Sequence, residues 1–248
     1  MSALQAYVRS TAPRGRDVER IGPFLATFSR TSDHPMVNYA IPDDGAAPSP
    51  AEITALADAY AGRGRQPRLE FFTEAAPDLE QLLIAQGYSL ERRVPLMTCT
   101  PADFVDHPAP AGILLRAPKS DADLRSLRSA QNVAFGESPA VSDEELASTR
   151  SFGDRAVRAE DTATGAVIGG GFALDIVDGA AEIAGIAVAE AYRHRGIASA
   201  ITAHLTRLVH SREAPTAFLT PGDLGIATVY RRVGYRPAGE CVHLSLSS

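Results

Sequence analysis

Tryptophan is absent from this chain of 248 residues, cysteine occurs twice, and Lys119 is the only lysine among 24 basic residues. Cys99 and Cys241 stand far apart, without a C-x-x-C spacing, so a zinc ribbon or a disulfide framework has no basis; two reduced thiols are expected. A basic surplus is also missing. Net charge is −6, with 10 basic against 14 acidic residues before position 109 and 14 against 16 after it. Both halves are acidic, which argues against a nucleic-acid partner. No apolar run reaches the ~20 residues of a membrane span, and Met1–Arg20 lacks the apolar core of a signal peptide. The expectation is a cytoplasmic protein without a membrane partner. Gly-x-Ser-x-Gly, Walker and His-Glu-x-x-His motifs are absent, so hydrolase, NTPase and zinc-protease readings lack support, and no metal is expected.

What is present suits an ordinary globular protein: 45% hydrophobic and 22% charged residues, with length for two modest domains. The Pro-rich stretch Thr100–Pro110 breaks the chain. The reading is a first domain over 1–105, a linker over 106–111 and a second domain over 112–248. Another loop is expected over Ile41–Pro50.

After the linker, periodicity predicts a strand at Ile113–Arg116 and a helix at Asp121–Phe135, with Leu124, Leu127, Ala130, Gln131 and Ala134 on one face. A helix over Asp143–Phe152 follows, then strands at Ala156–Ala159, Ala166–Leu174 and Ala181–Val188. A helix over Ile197–His210, a strand at Thr216–Leu219, a helix over Asp223–Val233 closed by Gly234, and a strand at Val242–Leu246 complete an α/β (α+β) pattern: a mixed sheet flanked by helices.

The first half echoes this ending. Ile53-Thr-Ala-Leu matches Ile201-Thr-Ala-His at an offset of 148, and Gly87-Tyr88 matches Gly234-Tyr235 at 147. Helix, strand, helix, Gly-Tyr and strand recur in Glu52–Cys99, which points to a duplication.

The strongest chemical signal is Arg193-His194-Arg195-Gly196-Ile197-Ala198-Ser199, where a strand crosses a short turn into a helix. The first N–H groups of a helix lack internal partners and sit at the positive end of its dipole, so such a turn can cradle a phosphate. Gly196 removes a side chain there, Ala198 keeps the next turn small, and Arg193 and Arg195 add positive charge. His194 lies within the turn with its side chain toward solvent.

With these residues the sequence resembles the GNAT superfamily of acyl-CoA N-acyltransferases, whose pyrophosphate motif is Arg/Gln-x-x-Gly-x-Gly/Ala. The resemblance covers about Gly112–Ser248, with a vestigial GNAT-like copy before it. It implies a GNAT fold, acetyl-CoA as cosubstrate and a small-molecule or peptide amine as acceptor. It also implies that the backbone of Ile186, Ala187 and Val188 binds the pantetheine and acyl carbonyl. Tyr230, in Tyr230-Arg-Arg-Val-Gly234-Tyr235, matches the family tyrosine that lies near the cofactor sulfur. The family often has asparagine seven residues before that tyrosine; here Asp223 occupies this cofactor-side position. Glu182, 11 residues before Arg193, matches a strand glutamate used as general base by histone-acetylating members; an alternating strand would equally place it on a solvated face. Leu83 stands where Tyr230 would fall in the first half, and no Arg-x-x-Gly-x-Ala precedes Ile53, so the first copy is expected to shape the acceptor site or serve structure. Gly169-Gly170-Gly171 reads either as tight strand packing or as room for an acceptor. The implied enzyme is a monomer or homodimer transferring acetyl groups directly; a non-catalytic acyl-CoA sensor is the alternative.

Overall fold

The computed structural model describes residues 2–30 and 32–247. In chain order the elements of the first half are α1 (Ser2–Thr11), β1 (Arg16–Ile21), β2 (Phe24–Ser29), β3 (Ala40–Pro42), α2 (Pro50–Ala61), β4 (Arg68–Phe72), α3 (Leu79–Ala85) and β5 (Ser89–Cys99). Then come β6 (Ile113–Arg116), α4 (Asp121–Ala134), α5 (Asp143–Arg150), β7 (Ala156–Asp161), β8 (Val167–Ala173), β9 (Ala180–Val188), α6 (Ile197–Ser211), β10 (Thr216–Leu219), α7 (Leu224–Arg231) and β11 (Arg236–Ser245).

Two compact units result. One comprises Met1–Leu96, Thr220–Leu224 and Pro237–Ser248; the other comprises Met97–Leu219 and Gly225–Arg236. The sequence division at 106–111 and the division by packing therefore differ, and strand pairing gives the reason. β11 pairs antiparallel with β4 from Cys241↔Phe72 to Ser245↔Arg68, inside the first unit. The last residues of β5 pair antiparallel with β10, Ala217↔Cys99 to Leu219↔Met97, inside the second. The closing strand of each half thus completes the sheet of the other half's elements.

In the first unit the sheet runs β1-β2-β3-β4-β11 and then the start of β5. Ile53, Leu56 and Tyr60 of α2, Leu79 and Leu83 of α3, and Leu69, Phe71, Val242 and Leu244 fill its core. The expected loop at Ile41–Pro50 begins two residues too early, because Ile41 and Pro42 pair with β2 as the end of β3. The hairpin β1–β2 and helix α1 were not legible as periodic segments.

In the second unit the order is β6-β7-β8-β9-β10 and then the end of β5. Among the described residues of this unit only β9–β10 pair in parallel. Ile197, Ile201, Leu205 and Val209 of α6 pack with Ile183, Val188, Ala217 and Leu219 on one face. Leu127 of α4 packs with Phe172 and Ala156 on the other. The triple glycine of β8 is a packing device: Cβ atoms would collide with the Ala187 carbonyl at Gly169, with Leu127 and the Val157 carbonyl at Gly170, and with Ile186 at Gly171. α5 stops at Arg150, two residues short of expectation, and Phe152 instead stacks on Phe172 at 4.4 Å between ring centres.

The sequence echo has a counterpart at the helix ends. After α7, Gly234 is left-handed at φ +98°, Gly234 N–H donates to Arg231 and Tyr235 N–H donates back to Tyr230. This is a Schellman closure. After α3, Gly87 at φ +89° does the same, with Gly87 N–H on Ile84 and Tyr88 N–H on Leu83. Leu83 therefore holds the structural place of Tyr230.

Candidate functional site

The second unit carries a groove of about 530 Å³ where β9, α6 and α7 meet the C-terminal end of α4. Its floor is formed where strands part. β9 pairs with β10 only over Ala180, Ala181 and Glu182. On the other side β9 stays bonded to β8 but is bulged: Gly170↔Ala187 is followed by Phe172↔Ala184, so Gly185 and Ile186 together face Gly171. Gly185 adopts φ +64°, which favours glycine. Ala189 N–H donates to the Ile168 carbonyl, which puts Ala187 in the next ladder pair and turns the backbone of Val188 to the side away from β8.

The turn that follows reverses sharply. His194 is left-handed at φ +62° and Gly196 at φ +83°. A Cβ on Gly196 would meet nothing within 4 Å, so the positive φ, not crowding by the protein, asks for glycine. α6 then starts without a side-chain cap. Its first intrahelical donor is Ala200 N–H, to the Gly196 carbonyl, leaving Ile197, Ala198 and Ser199 N–H without helical partners. In contrast α2 is closed by a capping box of Ser49 and Glu52, and α5 by one of Ser142 and Glu145.

Of the residues expected at the site, Ile186, Ala187, Val188, Arg193, His194 and Gly196 line the groove, as do Ile197, Ala198, Ser199 and Tyr230. Their side chains do different things from what the sequence suggests. The Arg193 guanidinium is engaged in the fold: Nε donates to the Val188 carbonyl and Nη2 to the Ala134 carbonyl, both at 3.2 Å. The Ser199 hydroxyl donates to the Val229 carbonyl of α7 at 3.4 Å. Arg195 lies outside the lining, its guanidinium 5.1 Å from the centre of the Tyr192 ring. The Tyr192 hydroxyl in turn donates to Asp161 at 2.7 Å.

Tyr230 is buried, its ring edge-on to Tyr235 at 6.2 Å. Tyr235 is anchored by a 2.7 Å hydrogen bond to Thr206, whereas burial alone acts on the Tyr230 phenol. Burial pushes the Tyr230 pKa up to about 12, so the phenol keeps its proton throughout the neutral range. Glu182 and Asp223 are not in the groove lining. Glu182 is half-buried on β9 with its carbonyl accepting from Leu174 N–H. Ala181 and Ile183 point into the α6 core, so alternation turns the Glu182 side chain to the opposite face. Asp223 is exposed, one residue before α7.

Sequence reasoning missed Ala134 and Phe135 at the end of α4, Tyr192, and the α7 wall formed by Gly225, Ile226, Thr228 and Val229 with Arg232 beyond it. The spacing of Ile226, Val229 and Tyr230 as i, i+3, i+4 could have marked that wall. Among the described residues no three His, Cys, Asp or Glu side chains are grouped to hold a metal ion, and no helix is long and apolar enough to cross a membrane.

Residues 153–237, roughly a third of the chain, match the model of the acetyltransferase (GNAT) domain. Among solved structures, a GCN5-related N-acetyltransferase from Kribbella flavida aligns over 100% of this chain and 95% of its own, with TM-score 0.84 and 24% identity. A GCN5-related N-acetyltransferase from Sphaerobacter thermophilus aligns over 73% of this chain and 59% of its own, with TM-score 0.59 and 23% identity. A tandem GNAT protein from the clavulanic acid biosynthesis pathway aligns over 97% and 86%, with TM-score 0.63 and 14% identity. No curated protein matches the sequence. The chain has the GNAT fold, and residues 153–237 within its second half match the GNAT domain model.

Proposed function

We propose that this acyltransferase moves an acetyl group directly from acetyl-CoA to the primary amine of a small molecule or peptide. The observation that carries the reading is the uncapped start of α6 opening on the groove. Three backbone N–H groups there lack helical partners, and the glycine before them leaves open space for an approaching phosphate. The residues fit an acyl-CoA pyrophosphate in donor chemistry as well as shape, with Arg193 and Arg195 close by.

When bound, an acyl-CoA supplies the thioester carbonyl that an amine attacks. Within the Ile186–Val188 segment the donor for the thioester oxygen is a backbone N–H turned from β8, and the parting of β9 and β10 beyond Glu182 leaves that side open. Glu182, on the face of β9 turned from α6, suits an acceptor arriving from that face. There it takes the ammonium proton, directly or through water. As the N–C bond forms and the C–S bond breaks, Tyr230 gives its proton to the departing sulfur, and the surplus proton on nitrogen returns to the phenolate through water. Its protonated state at neutral pH supports that role. The first half contributes no second donor site, because Glu52 occupies the start of α2.

Calorimetric titration with acetyl-CoA and CoA tests this, beside an Arg195→Glu, Gly196→Glu double variant. Binding by the intact protein and its loss in the variant are expected. No binding by the intact protein would sink the reading. Binding with no transfer to any amine in a broad panel would make the domain an acyl-CoA sensor instead.

A further inference from the structure

Gln131 is fully buried near the groove with its polar atoms only half satisfied. It lies on the inner face of α4. Its Nε2 donates to the Gly185 carbonyl at 2.6 Å, while its Oε1 is buried with no hydrogen-bond partner. A leucine or methionine of similar volume would remove the orphaned Oε1 but leave the Gly185 carbonyl without its donor. Glutamine is thus kept for the bond to that carbonyl.

The bonded carbonyl belongs to the bulge. The Gly185–Ile186 peptide is a rigid trans plane, so its C=O and N–H point in opposite directions. α4 and α6 pack on opposite faces of the sheet: a Cβ on Gly170 would meet Leu127 of α4, and one on Gly171 would meet Ile201 of α6. A Gly185 carbonyl held toward α4 thus aims the Ile186 N–H to the α6 side, where the groove lies. Gly185 itself must lack a side chain for this, since a Cβ would stand 2.9 Å from Gln131 Nε2. At the other end of the segment, Arg193 holds the Val188 carbonyl.

We propose that Gln131 is a positioning residue for acyl transfer, fixing from behind the peptide plane whose N–H meets the donor thioester. The inference rests on the acetyl-CoA reading above. Two variants test it, Gln131→Leu and Gln131→Glu, read by turnover, by calorimetric CoA affinity, by thermal melting, and by the infrared carbonyl band of bound acetyl-CoA labelled with carbon-13 at the thioester.

Gln131→Leu is expected to melt slightly lower than the intact protein, because the Gly185 carbonyl loses its donor, and to bind CoA within twofold of it. Its kcat should fall at least tenfold with KM unchanged, and the carbonyl band should move back toward its frequency in water. Gln131→Glu can donate to Gly185 only as the neutral acid, so its kcat relative to the intact protein should rise as pH falls through the carboxyl pKa. This arm stands if the leucine variant does not fold. Unchanged kcat and carbonyl band in the leucine variant, or a flat pH ratio in the glutamate variant, would overturn the proposal. So would a parallel loss of melting temperature, CoA affinity and kcat, which marks a mere filler. If the intact protein binds acetyl-CoA but transfers nothing, the band still judges the clasp; if it does not bind, both readings fall.

Discussion

Arg193 bridges to Ala134: its Nη2 donates at 3.2 Å to the carbonyl of the last residue of α4, while Nε holds Val188. A cation at a helix C-terminus is favourable in its own right. The arginine that the pyrophosphate motif begins with thus serves to tie one wall of the groove to its floor. Arg193→Lys keeps the charge but not the fork of donors. CoA affinity should fall about tenfold, equivalent to about 1.4 kcal/mol, measured by calorimetry. An affinity unchanged in the lysine variant would mean that charge alone matters there.

Tyr230→Phe should lower kcat by about 10²-fold or more, within the usual range for loss of a positioned acid, and leave CoA binding within twofold. Equal turnover would remove Tyr230 as the proton donor.

The same residue shapes alkaline stability. Tyrosine titrates near 10 in the unfolded chain and at about 12 for Tyr230 in the fold. Between these values the native state holds more protons than the unfolded one, so stability falls as pH rises from 10 to 12; below 10 Tyr230 contributes no pH dependence. The Phe variant should show a shallower loss over that window, by at most about 3 kcal/mol at its upper end. Tyr60, Tyr88 and Tyr235 are also shifted upward by burial, so the loss should shrink and not vanish. Denaturant melts at stepped pH provide the comparison.

Glu213 is left-handed at φ +60° at the end of α6, where Gly64 stands at φ +63° after α2. Glu213→Gly should stabilise the protein by roughly 0.5–1 kcal/mol through relief of that backbone strain. A fall in melting temperature would argue that Glu213 earns its place by other contacts.

Gly170→Ala should be among the harsher single changes, costing about 1–3 kcal/mol or more, because its Cβ meets the Val157 carbonyl as well as a movable Leu127. If alanine is tolerated while acceptor KM rises, the glycine run would instead be there to admit substrate.

Much of this was legible in the sequence because its signals are local. Ile113–Arg116 and Thr216–Leu219 form strands with the expected bounds, and Ser120 caps α4. The Arg193–Ser199 turn was readable because phosphate-cradling geometry needs glycine and small residues at fixed spacing. Arg195 and Asp223 fell outside the groove since a motif places the backbone but not where a long side chain settles; Arg195 settles over Tyr192. Gln131 was legible only as a position on the inner face of α4, because the Gly185 carbonyl it bonds lies 54 residues away along the chain. α1 and β1–β2 lack a clean period, and their identity comes from pairing.

The exchange of closing strands has a consequence for inheritance. A gene trimmed to the second half would encode a chain whose last strand has lost β4, and whose β10 has lost the end of β5. The first half would suffer the reciprocal loss. Cut between the halves, β11 would be parted from β4 and β10 from the end of β5, so each piece would present an unpaired sheet edge.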